Sequence, residues 1–126
     1  MRALVIDDSK AMRIILKGVL KQVGFGEILE AENGRQGLDM LTANPGLDCV
    51  LVDWYMPEMD GRTFIKTVRA DPGWDALPVI MVTSESDASN MASALLAGAS
   101  EYVIKPFTKD AIVEKLQILG LAGTMT

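Results

Sequence analysis

The sequence predicts an α/β fold, a parallel sheet with helices on both faces, and three observations predict it. Short apolar runs recur along the chain, at Ala3-Leu4-Val5-Ile6, Val50-Leu51-Val52, Val79-Ile80-Met81-Val82 and Tyr102-Val103-Ile104. They are apolar throughout rather than alternating, the pattern of strands covered on both sides. Segments of helical period lie between them. Turn formers separate the two kinds, among them Gly24, Asn44-Pro45-Gly46, Asp71-Pro72-Gly73 and Gly98. Alternating strands and helices call for parallel pairing through right-handed crossovers.

The first strand ends in the acid pair Asp7-Asp8, and Ser9 caps a helix running to about Val23. Ile15, Leu16, Val19, Leu20 and Val23 give that helix an apolar face, and Gly24 stops it. Glu27 to Ala31 is a short second strand. Asn33 caps a helix through about Ala43, with Leu38 and Leu41 facing inward. The third strand, Asp48 to Asp53, is the centre of the chain. The loop Trp54-Tyr55-Met56-Pro57 follows, and a helix spans Gly61 to Ala70 with Phe64, Ile65 and Val68 buried. Pro78 to Thr83 is the fourth strand. Asp87 begins a fourth helix that stops at Gly98. The fifth strand ends at Lys105-Pro106, and Thr108 caps a last helix with Ile112, Leu116 and Leu119 on one face.

The 126 residues suit one domain, 1–126. Twelve basic against seventeen acidic residues leave a net charge of -5, the wrong sign for non-specific nucleic-acid binding. No apolar run approaches the roughly 20 residues of a membrane span. The single cysteine, Cys49, excludes an internal disulfide and fits a reducing, cytoplasmic setting; beside an apolar run it reads as core filling. The chain has no histidine, so a bound metal must be held by oxygen.

In a parallel sheet the carboxyl ends of the strands share one edge, where open α/β sheets place their chemistry. That edge collects Asp7 and Asp8 from the first strand, Asp53 from the third, Thr83 from the fourth and Lys105 from the fifth. The second strand contributes nothing comparable, which fits an outer position. Two unit charges about 4 Å apart repel by roughly 4 kcal/mol at an effective dielectric of about 20. Such a cluster is relieved by a cation, by protonation or by distance, and for a cation the oxygen ligands favour Mg²⁺ over zinc. Lys105 and Thr83 suit the far side of a phosphoryl group. Singly, each residue reads more plainly as a cap, a turn or a surface charge; the combination carries the argument.

The chain resembles a receiver domain of the two-component response-regulator family over essentially its whole length. The matching stretches are Ile6-Asp7-Asp8-Ser9, Val52-Asp53-Trp54-Tyr55-Met56-Pro57-Glu58-Met59-Asp60-Gly61, Val82-Thr83-Ser84 and Tyr102-Val103-Ile104-Lys105-Pro106-Phe107. Within the family it is most similar to the stand-alone, CheY-like chemotaxis regulators. The resemblance implies a flavodoxin-like, doubly wound (βα)5 sheet of order 2-1-3-4-5, for which this family is itself a type case. It implies that Asp53 accepts a phosphoryl group, and that Mg²⁺ is held by Asp7, Asp8, Asp53 and the backbone carbonyl of Tyr55. Thr83 and Lys105 would contact the phosphoryl group, the Lys105-Pro106 bond would be cis, and Thr83 and Tyr102 would switch together. Tyr102, with Met91 and Leu95, would form a partner surface on the fourth helix, fifth strand and fifth helix; the alternative that Met91 and Leu95 are core residues stays open. Small Ser84 would leave the phosphoryl group reachable, and Tyr55 and Glu85 would tune its lifetime.

Without a histidine or a Walker-type glycine loop, the phosphoryl group is expected from a histidine kinase, a phosphotransfer protein or a small donor. The output is expected through docking of a monomer onto a downstream protein target, with neither nucleic acid nor membrane insertion, as a signalling domain and not an enzyme. Two alternatives keep the receiver site: a single-domain phosphorelay intermediate and a degenerate receiver used only for docking. Two others change the class. A haloacid-dehalogenase-like phosphatase requires a second Asp two residues after the nucleophile, where Tyr55 stands. A flavodoxin-like electron carrier requires a phosphate cradle where Asp7-Asp8 would repel one.

Overall fold

Every residue of the strands Cys49–Asp53 and Val79–Thr83 is buried, as befits apolar runs covered on both sides. The computed structural model describes residues 1–84 and 88–122. Its elements are β1 Arg2–Ile6, α1 Lys10–Val23, β2 Glu27–Ala31, α2 Gly34–Ala43, β3 Cys49–Asp53, α3 Gly61–Arg69, a 3-10 turn Pro72–Trp74, β4 Val79–Thr83, α4 Ala88–Ala97, β5 Glu101–Ile104 and α5 Lys109–Ile118. The strands pair in parallel in the order β2-β1-β3-β4-β5. This is the doubly wound sheet expected above, with β2 at an edge.

Alternate residues of each strand feed two cores. Leu4, Ile6, Val50, Val52 and Met81 pack with Leu41 of α2, Phe64, Ile65 and Val68 of α3, and Ala94 of α4. Ala3, Val5, Leu51, Ile80 and Val82 pack with Leu16 and Leu20 of α1 and Ile112 and Leu116 of α5. Cys49 belongs to this second core, and burial pushes its thiol up to about 12, so it is inert filling.

Short polar side chains start the helices. Ser9, Asn33, Asp60 and Thr108 each accept a hydrogen bond from the backbone N–H three residues on, in Met12, Gln36, Thr63 and Ala111. Gly24 closes α1 in the left-handed conformation at φ 116°, its N–H donating to the Leu20 and Lys21 carbonyls.

The structure departs from the expected elements in three places. Ile15 is 51% exposed, because the buried stripe of α1 runs through Arg13, Leu16 and Leu20 and leaves Ile15 on its flank. Asp71-Pro72-Gly73 does more than end α3: Asp71 accepts from the Gly73 N–H and starts the 3-10 turn. Leu119 is half-buried just past the end of α5 and packs on the second core. Asp87, the expected start of α4, lies outside the described residues.

Candidate functional site

The parallel register carries the strand ends to one edge. Ile6 pairs with Val52 at the last step before Asp7 and Asp53, Asp53 pairs with Val82, and Thr83 pairs with Ile104, the residue before Lys105. There Asp7, Asp8 and Asp53 each place a carboxylate oxygen within 4.8 Å of the others. The Lys105 Nζ lies 3.1 Å from Asp7 Oδ2 and 3.5 Å from Asp53 Oδ1. Thr83 is buried beside them at the end of β4, and Ser84 next to it is exposed.

Asp7 is held at every polar atom. It is 1% exposed. Its N–H donates to the Ala31 carbonyl at 3.1 Å, and its Oδ1 accepts from the Ser9 N–H at 2.9 Å. Its Oδ2 accepts from Lys105, and its carbonyl accepts from Arg13 Nη1 at 2.7 Å. Asp8, by contrast, is exposed and accepts no hydrogen bond from the described residues.

Burial pushes the Asp53 carboxyl up to about 6. Lys105 pulls it back, Asp7 and Asp8 push it further up, and the Trp54 backbone N–H lowers it. Three acids thus face one amine, and at Asp53 burial outweighs that amine, so its ionised form is disfavoured. The donor set is all oxygen, partly buried and in excess of its positive partner. That fits a hard divalent cation such as Mg²⁺.

The other predicted site residues spread along the same edge and onto one flank. Tyr55 lies two residues past Asp53 with its side chain 53% exposed. The Lys105-Pro106 peptide is cis. Tyr102 is half-buried, with Lys115 Nζ 4.7 Å from its ring centroid and 3.0 Å from Glu101 Oε1. Leu95 is exposed and Met91 half-buried, while Glu85 lies outside the described residues.

Sequence reasoning passed over three features. Arg13 is buried and joins Asp7 to Glu30; a charged residue three before Leu16 and seven before Leu20, on the core stripe, was the available signal. Leu96 is 88% exposed beside Leu95. Glu58 has φ 66°, and around it the Met59 N–H donates to the Pro57 carbonyl at 2.7 Å. Only the three-dimensional structure reveals that turn.

The family model of the response regulator receiver domain matches residues 3–117. The chain belongs to the response regulator receiver domains. This receiver is 43% identical over 121 residues to a chemotaxis protein CheY homolog of Campylobacter jejuni, spanning 95% of this chain and 93% of that one. It is 41% identical over 119 residues to the chemotaxis protein CheY1 of Helicobacter pylori, spanning 94% of this chain and 96% of that one. Its fold is similar to that of Vibrio cholerae CheY4, with a TM-score of 0.85 at 28% identity over 94% of this chain and 97% of that one. The receiver domain of a Syntrophus aciditrophicus histidine kinase is as similar, at a TM-score of 0.85 and 27% identity over 99% of this chain and 95% of that one. Receivers of different settings thus share this backbone, and family membership favours signalling over the phosphatase and electron-carrier readings.

Proposed function

We propose that this receiver is a phosphorylation-activated switch of a two-component system, with Asp53 as the acceptor. The observation that carries the reading is the Lys105 amine lying between the Asp7 and Asp53 carboxylates at 3.1 and 3.5 Å. An Asp53 oxygen attacks the phosphorus of a partner's phosphohistidine. A P–O bond forms, the P–N bond breaks, and its electron pair stays on the departing imidazole nitrogen. At neutral pH most Asp53 is the carboxylate needed for attack, since its value is about 6. Lys105 then pairs with the phosphoryl oxygens, and the Thr83 hydroxyl donates to one of them. Asp7, Asp8, Asp53 and the Tyr55 carbonyl are the residues that would hold Mg²⁺. When bound, the ion supplies charge neutralisation for the acids and the transferred group.

Movement of Thr83 toward the phosphoryl group draws Tyr102 inward and remodels the face bearing Met91, Leu95 and Tyr102, where a downstream protein docks. Likeness to the Campylobacter and Helicobacter chemotaxis proteins supports a role in chemotaxis. The domain assists only its own phosphorylation and dephosphorylation, and works as a monomer with a histidine kinase or phosphotransfer protein upstream. Intact mass after incubation with acetyl phosphate and Mg²⁺ tests this: wild type gains one phosphoryl group and Asp53→Asn gains none. Equal labelling of both proteins would rule Asp53 out.

A further inference from the structure

We infer that Arg13 is a positioning residue for the cation site, acting through the peptide that joins Asp7 to Asp8. This rests on the reading of Asp7 and Asp8 as cation ligands. Arg13 lies on the buried stripe of α1, where leucines would be the ordinary choice. An arginine is kept out of water only where its donors are met. Here its Nη1 donates to the Asp7 carbonyl at 2.7 Å and its Nε to Glu30 Oε1 at 3.1 Å. Lys17 Nζ holds the other Glu30 oxygen at 3.0 Å, so the carboxylate on β2 anchors the guanidinium from behind.

The carbonyl that Arg13 grips belongs to the peptide immediately before Asp8. Asp7 has three further anchors, on Ala31, Ser9 and Lys105. The Asp8 side chain has none among the described residues. The tilt of the 7–8 peptide therefore sets where the Asp8 carboxylate stands, and Arg13 sets the tilt. A planar fork that reaches two oxygens at once does this; an ammonium holds only one of them firmly.

The sign of the effect separates this role from a plain charge effect. Arg13 is a cation beside a cation site, so by Coulomb's law alone its removal tightens Mg²⁺ binding. Positioning requires the opposite. The experiment is titration of wild type, Arg13→Met and Arg13→Lys with Mg²⁺ alone, followed by calorimetry and by the fluorescence of Trp54 next to Asp53, with thermal melts to establish folding. Wild type binds; Arg13→Met binds at least tenfold more weakly, and Arg13→Lys about threefold more weakly. If Arg13→Met does not fold, the lysine variant decides. Unchanged or tighter binding by a folded variant overturns the assignment. Absence of binding by wild type overturns the metal reading itself, and the assignment with it.

Discussion

At the scale of single residues, burial and charge act against each other on Asp53. Its carboxyl is raised from an ordinary 3.8 to about 6, chiefly by burial. Between those values the folded chain keeps a proton that the unfolded chain has released. Stability therefore falls as pH rises through that window and levels off above it. In metal-free buffer the melting temperature of wild type should fall, relative to Asp53→Asn, between about pH 4 and pH 6.5. A difference between the two proteins that is flat across that range would contradict the burial argument. Glu58 stores strain of another kind. A side chain in the left-handed region costs about 1 kcal/mol or more, and Glu58 sits there at φ 66°. Glu58→Gly is expected to stabilise the fold by up to about 1 kcal/mol in urea unfolding, part of the relief being offset by the looser unfolded chain. A lower midpoint for the variant would mean that the Glu58 side chain makes stabilising contacts.

Among the elements, two glycines separate propensity from packing. Gly18 lies on the exposed side of α1 with nothing within 4 Å of an added Cβ. Gly18→Ala should stabilise by about 0.5–1 kcal/mol. Gly61 opens α3 against the end of β3, and a Cβ there would collide with the Asp53 carbonyl oxygen and meet the Trp54 Cα at 3.0 Å. Gly61→Ala should destabilise by about 2 kcal/mol and slow labelling of Asp53, since backbone cannot yield as a side-chain tip can. Equal melting temperatures for the two variants would refute this contrast. Four of the strands were legible in the sequence because each carries an apolar run that ends in a polar residue, whereas β2, Glu27–Ala31, carries two glutamates and was legible from its place between two helices. The convergence of Asp7, Asp8, Asp53 and Lys105 was legible for the same reason: parallel topology delivers strand ends to one edge. Helix faces were harder. Ile14-Ile15-Leu16 is apolar in series and fixes no phase, and Arg13 takes a core position only because Glu30, seventeen residues on, meets its charge. Exposed Leu96 was equally unreadable, since Leu95 and Leu96 are adjacent and pattern alone does not say which of them faces out.

For the molecule as a whole, the cation and the fold are linked. A ligand that binds only the native state at about ten times its Kd adds roughly 1.4 kcal/mol. For a chain of this size that is a rise of about 5 °C in Tm. Mg²⁺ should produce such a rise in wild type and little in Asp8→Asn, whereas a wild-type Tm indifferent to millimolar Mg²⁺ would argue against the cation site. The contact between Lys105 and Asp7 reaches across 98 positions of sequence, from the end of the last strand to the end of the first. A polypeptide emerging from the ribosome therefore presents Asp7, Asp8 and Asp53 well before Lys105 is added. On the proposed reading, a chain made only as far as β3 or β4 carries the acids without the amine that pairs with them.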